Sequence, residues 1–370
     1  MPTRFVLLVA LTLLGACASR APKADLESAS EFVSTAEAAM SAGDWKLALE
    51  RLIAVQAVPG IPPEMRNRVQ ALTNRALDAR IAQLEGTPDS TDELEDLFKA
   101  DLPRRLRGPA AVALARAQLA EGDRLEAFRT IRELDEKDPD HLVRSECAQL
   151  LFEIGMSLAG DYGTYFLGTR VYRYRAPAVL EYLVLRYPAH PQSDLAYLTI
   201  AQIYEDDREW GLAISRYSEL FLYHRSSPYA TESELRIPEL RLAQLVRDDH
   251  DRGSLIEARR ELEAWLVRHP DDERSERALT NLLDAHRRLA LSDLSIARFY
   301  AKTDHPYGAW QHAERARAEA EQAGDEELIA TVAELLDALP SREEVFEGVP
   351  LTIPPIAPEI GPEIGPDEAP

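Results

Sequence analysis

One phrase recurs along this chain and restricts what it can become: an alanine in a helix, large apolar residues four and seven positions later, and a proline after the helix. Gly43-Asp44-Trp45 is followed by Ala48, Leu52 and Val55, then Pro59. Gly122-Asp123-Arg124 is followed by Ala127, Ile131 and Leu134, then Pro139. The phrase returns as Ala176, Leu180, Leu183 and Pro188, then as Trp210, Ala213, Tyr217 and Leu220 with a late Pro228. It recurs as Ala258, Leu262, Trp265 and Pro270, and once more as Gly308, Trp310, Ala313 and Ala320 without the proline. The small residue lets two helices of a hairpin approach closely, the large ones fill the seam to the next hairpin, and proline ends the helix because it lacks an N–H donor. One hairpin cannot hide its own apolar face, so hairpins must stack. Helix formers dominate from Asp25 to about Leu339, and there are no Asn-Gly hairpin signals. These features predict an all-α fold, a tetratricopeptide-repeat-like right-handed helical solenoid.

Spacing between the phrases organises the chain. Residues 27–160 hold N-terminal repeats, including a degenerate unit made of Pro63 to Leu84 and Asp92 to Lys99. Residues 161–175 form an insertion that ends in Val171-Tyr172-Arg173-Tyr174-Arg175, an aromatic and basic stretch in an acidic chain. Repeats resume over 176–339. From Pro340 to Pro370 the composition changes: Pro358-Glu359-Ile360-Gly361 repeats as Pro362-Glu363-Ile364-Gly365, with seven acids against Arg342 alone. Such a segment favours extended backbone and reads as a Pro-rich acidic disordered tail.

At the other end, Arg4 precedes an apolar run from Phe5 to Leu14 that closes in Leu14-Gly15-Ala16-Cys17. Charged start, apolar middle and small residues before the cut make residues 1–16 a secretory signal peptide, and a cysteine just after the cut is what lipoprotein processing needs. The run is too short to span a bilayer. The mature chain is therefore expected to start at a lipidated Cys17, with 17–26 as tether and the lipid bilayer as its first partner. Ala18 and Ser19, with no Asp beside Cys17, favour the periplasmic face of an outer membrane. A net charge of −22 repels phosphate backbones, so nucleic acid is not an expected partner.

Catalytic and metal motifs are missing from the sequence. It contains no Gly-rich phosphate cradle, no His-Glu-x-x-His, no Gly-x-Ser-x-Gly and no paired-Cys metal spacing. Asp248-Asp249-His250-Asp251 fits a solvated turn better than a metal loop. Cys147, the single cysteine left after Cys17, sits in an apolar stretch and reads as a packing residue. No enzyme, cofactor or metal is expected.

The second half resembles a known family. Tyr187-Pro188-Ala189-His190-Pro191 ends one unit and Asp194-Leu195-Ala196-Tyr197 opens the next. Ser227-Pro228-Tyr229-Ala230 comes after these, less closely matched. Arg288-Leu289-Ala290, Asp293, then Ile296-Ala297-Arg298-Phe299-Tyr300 leads to Gly308-Ala309-Trp310, expected as a turn. Over roughly 176–320 this ordering is similar to the BamD (ComL/YfiO) family of outer-membrane assembly lipoproteins. In this chain Asp293 replaces Glu, Phe299 replaces Tyr, and Thr303 to Tyr307 interrupts a plain Arg-Gly turn.

The resemblance implies a membrane-anchored scaffold that binds outer-membrane assembly subunits or unfolded β-barrel clients. An alternative keeps the fold but makes it a periplasmic organiser of cell-envelope growth or of a secretion channel. First helices of repeats line the groove of such folds, which nominates Val112, Arg116, Leu198, Gln202 and Glu205 for partner binding. Tyr172, Tyr174 and Arg175 are added because aromatic residues and arginine are enriched at interface hot spots.

Overall fold

The computed structural model describes residues 25–100, 102–160, 173–245 and 252–346. Signal peptide, Cys17, most of the 161–175 insertion, the Asp248 to Asp251 turn and residues 347–370 lie outside these. Among the described residues every regular element is a helix and there is no strand, so the fold is all-α. The chain divides into two compact units, 1–220 and 221–370.

In the first unit the helices are α1 (Ala29–Ala42), α2 (Trp45–Gln56), α3 (Pro63–Leu84), α4 (Thr91–Lys99), α5 (Arg104–Glu121), α6 (Arg124–Lys137) and α7 (Arg144–Ala159). A 3₁₀ turn at Arg173–Arg175 leads into α8 (Ala176–Arg186), α9 (Ser193–Asp206) and α10 (Trp210–Tyr223), whose last turn crosses the unit boundary. Helices joined by two-residue turns pack side by side, α1 on α2 and α5 on α6. The turns arise from local chemistry. Gly43 and Gly122 end their helices at φ 78° and 92°, the left-handed region where only glycine is unstrained. Asp44 then caps α2, its carboxylate accepting from the Leu47 N–H at 3.0 Å.

All the small and large positions of the recurring phrase are buried as its logic requires. Ala48, Leu52, Val55, Ala127, Ile131, Ala176, Leu180, Leu183, Ala213 and Leu220 are fully enclosed, and Tyr217 is 2% exposed. The degenerate unit appears as α3 and α4, joined by a bidentate Arg80–Glu93 pair at 2.8 and 2.7 Å.

The second unit contains α11 (Ala230–Gln244), α12 (Arg252–Arg268), α13 (Ser275–Lys302), α14 (Pro306–Ala323), α15 (Glu326–Ala338) and a short α16 (Arg342–Val345). Ala258, Leu262, Trp265, Ala313 and Ala320 are again fully buried. Two readings change here. Gly308-Ala309-Trp310 is not a turn but lies inside α14, and the missing side chain of Gly308 makes room for the Tyr300 ring, which a Cβ would meet at 2.9 Å. The turn is instead Thr303 to His305, with Asp304 in the left-handed position at φ 57°.

Pro340 does not open an extended tail. Gly324-Asp325 turns the chain from α14 into α15, and Asp325 caps α15 by accepting from Leu328 N–H at 3.0 Å. Pro340 closes this last hairpin, and its carbonyl accepts from Trp310 Nε1 at 2.9 Å. Ser341 and Glu344 then form a reciprocal capping box around α16. The phrase misses this hairpin because Ile329 stands where a small residue is expected and Ala333 where a large one is.

Candidate functional site

Of the residues nominated for a partner, Val112 is corrected by the structure: it is 5% exposed, within a run from Ala110 to Ala115 that is buried on every side. The Ala-Ala-Val-Ala-Leu-Ala sequence carries that signal, since a helix apolar all round is enclosed. Arg116 is half-exposed and ion-pairs with Glu85. Leu198, Gln202 and Glu205 share one stripe of α9; Gln202 is exposed, and Glu205 accepts from Tyr217 OH at 2.9 Å. Tyr174 is 54% exposed with the Arg175 guanidinium 4.9 Å over its ring. Tyr172 lies outside the described residues. Arg173, between them, is buried and reaches Asp206 at 2.6 Å, which fixes the 3₁₀ turn to the end of α9.

Sequence reasoning passed over two leucines in the first unit. Leu142 is 91% exposed and Leu185 83%. They sit on elements tied together by Arg186 Nη2 donating to Pro139 O and Arg144 Nη2 donating to Arg186 O, each at 2.9 Å. The signal available was an apolar residue two places beyond the last seam position, Leu183.

A buried polar knot underlies this surface. The Asp135 carboxylate accepts from His141 Nε2 at 2.9 Å, Tyr187 OH at 2.6 Å and Tyr182 OH at 2.8 Å. Burial pushes the Asp135 carboxyl up, but these hydrogen bonds outweigh it and hold the group below the usual carboxylate range. Burial also raises the Tyr187 phenol and takes the neighbouring Cys147 thiol to about 12. Cys147 is fully enclosed, so it packs and does not react. The knot joins α6, its following loop and α8; it is architecture.

In the second unit Asp293 of the motif is likewise internal, whereas Arg298 and Phe299 are exposed. Asp293, fully buried, accepts from His312 Nδ1 at 2.7 Å and lies 2.6 Å from Arg252 Nη1, an ion pair not aligned as a hydrogen bond. One heptad away, Glu319 accepts from Arg259 Nη1 at 2.6 Å and His286 Nδ1 at 2.7 Å. Each layer takes its arginine from α12, while acid and histidine exchange places between α13 and α14. The layers line up because α13 runs opposite to the other two, so that moving one heptad along each helix reaches the next shared level. Burial raises the Glu319 carboxyl, and His286 and Arg259 bring it below its ordinary value. Arg288 donates to the Leu242 carbonyl at 3.0 Å, and Tyr300 stacks on His312 at 5.7 Å.

Among the described residues no group of three or more His, Cys, Asp or Glu side chains is placed to hold a metal. No described helix is long and apolar enough to cross a membrane.

Helical hairpins with enclosed small-residue seams and polar knots define a tetratricopeptide-like protein. Residues 172–319, under half of the chain, match the YfiO family model, described as outer membrane lipoprotein. That match bears out the resemblance drawn from Tyr187-Pro188 through Tyr300. No curated protein matches the chain. Solved structures with a similar arrangement include the C-terminal part of a TPR repeat-containing protein from Cytophaga hutchinsonii, at 13% identity over 80% of this chain and 98% of that one, TM-score 0.28. A tetratricopeptide repeat protein from Parabacteroides merdae is 13% identical over 84% of this chain and 98% of that one, TM-score 0.24. Tetratricopeptide scaffolds and YfiO lipoproteins are non-catalytic kinds of protein.

Proposed function

We propose that this protein is a membrane-anchored scaffold lipoprotein, a BamD-like component of outer-membrane β-barrel assembly. In this reading an acylated Cys17 fixes the chain to the periplasmic face of the outer membrane, and its helices bind partner subunits or segments of unfolded barrel clients. The match of residues 172–319 to an outer membrane lipoprotein family carries the proposal. The signal-like sequence up to Cys17 and the stripe of half-buried Leu198, exposed Gln202 and half-buried Glu205 on α9 agree with it. So do Tyr174 and Arg175, which leave an aromatic and a cation at the surface next to the anchored Arg173.

A second reading draws on residues 25–160, which carry hairpins outside the family match. It makes the protein an organiser of envelope growth or of a secretion channel. Purifying the tagged protein from membranes under mild detergent separates the two. A barrel-folding subunit in the eluate supports the first reading; cell-wall enzymes or secretin subunits without it refute the first and support the second. Replacing Cys17→Ser should release the chain from the membrane fraction, and continued detergent dependence of the variant would refute the lipid anchor.

A further inference from the structure

The last turn of α13 presents a basic and aromatic patch in an acidic chain. Arg298, Phe299 and Lys302 occupy one solvent-facing arc, since positions three and four apart share a helix face. Phe299 is 61% exposed, and among the described residues neither Arg298 nor Lys302 has an ion-pair partner. Against a chain of net charge −22, two unpaired cations flanking an exposed ring call for an acidic and apolar occupant.

The fold carries such a segment to that place. Arg287 on α13 pairs with Asp325 at the start of α15 at 2.9 Å. Leu294 of α13 shares one apolar cluster with Leu328, Val332 and Leu336 of α15, and Leu291 packs against that cluster. The stripe from Arg287 through Leu291 and Leu294 to Arg298 therefore runs alongside α15. With 13 residues, α15 ends about level with Phe299 and Tyr300. The chain then turns through α16, where the Phe346 ring packs 4.9 Å from that of Tyr307 at the start of α14. Residues 347–370, the remainder of the chain, are acidic in sequence, with five acids and no base, and hold six aliphatic residues among seven prolines. Proline-rich segments dock on exposed aromatic rings at low conformational cost, because their extended form is already set.

We propose that the C-terminal segment 347–370 docks in cis on the patch of Arg298, Phe299 and Lys302, with Ile360 or Ile364 against the ring and Glu359 and Glu363 toward the cations. Attachment at Phe346, 13 to 18 residues before the docking side chains, makes weak contacts sufficient. A short tether gives an effective concentration of ~3 mM, so a site with an intrinsic Kd of ~1 mM would be filled about three-quarters of the time. Any partner that binds this patch better would displace the segment.

The test uses the full chain with a photo-crosslinking phenylalanine analogue at position 299, which is exposed enough to accept it. Equal amounts of isotopically heavy and light protein are mixed before irradiation, and the products are mapped by mass spectrometry. Crosslinks from 299 into 347–370 within one chain are expected. In Arg298→Glu/Lys302→Glu, whose helicity circular dichroism should show unchanged, the yield should fall at least ~3-fold. Adding Glu359→Lys/Glu363→Lys should restore it. Absence of crosslinks to 347–370, crosslinks only between heavy and light chains, or a yield indifferent to charge reversal would each overturn the proposal. The outcome is independent of which envelope partner the protein serves.

Discussion

Replacing Asp135→Ala removes the acceptor at the centre of the knot between α6 and α8. The carboxylate is 3% exposed and takes three hydrogen bonds, so truncation strands His141 Nε2 and the hydroxyls of Tyr187 and Tyr182. Hydrogen bonds to a charged group contribute about 1.5–3 kcal/mol each, and stranded buried donors cost about 1–3. Partial relaxation and water entry at half-buried Tyr182 offset some of this. Breaking buried ionic networks from one side generally costs about 3–5 kcal/mol, and that range is expected here. The sign of the pH dependence is set by the depressed carboxyl. A group held below its unfolded value of ~3.9 stabilises the fold above that pH and loses the contribution as pH falls through the folded value. Urea unfolding of wild type and variant should therefore show their difference at pH 6 to 7 and a shrinking difference below about pH 4. A loss under about 1 kcal/mol at neutral pH, or a difference that does not change with acidification, would refute the knot as a source of stability.

Three further substitutions test the packing. At Gly155, inside α7, an added Cβ would lie 2.3 Å from Leu180 Cδ2, so Gly155→Ala should destabilise by about 1–3 kcal/mol through overpacking, seen as a lower thermal midpoint. Arg208 occupies the left-handed turn position at φ 60° that glycine fills at Gly43 and Gly122; Arg208→Gly should stabilise by about 0.5–1 kcal/mol in thermal unfolding, and a loss would contradict the strain. Ala213→Arg places a charge at a fully enclosed seam and should cost several kcal/mol, roughly 3–5; unchanged unfolding would contradict the repeat register.

Much of the fold was legible because its determinants are local. Glycine after a helix, aspartate before the next, and alanine spaced four and seven from large apolar residues specify a hairpin, and each such alanine is enclosed. The last hairpin departs from the template at two positions, Ile329 for the small residue and Ala333 for the large one four later, so the phrase does not claim Pro340 as its closing proline. The candidate surface was less legible. Leu198 and Gln202 lie on an outward stripe by helical period alone, yet the same period placed Val112 outward when neighbouring helices enclose it. Leu142 and Leu185 are exposed because no described element covers them, which spacing along the chain does not encode.

The sequence by itself determined that the chain would be helical hairpins with small-residue seams, because those choices depend on backbone torsions and on side chains within seven positions of each other. Only the tertiary structure decided where charge would be buried. Arg252, Asp293 and His312 come from three helices and look like ordinary surface residues in sequence. Their burial arises from which faces α12, α13 and α14 turn toward one another, and the carboxylate is tolerated in the core only because an arginine and a histidine arrive at the same level.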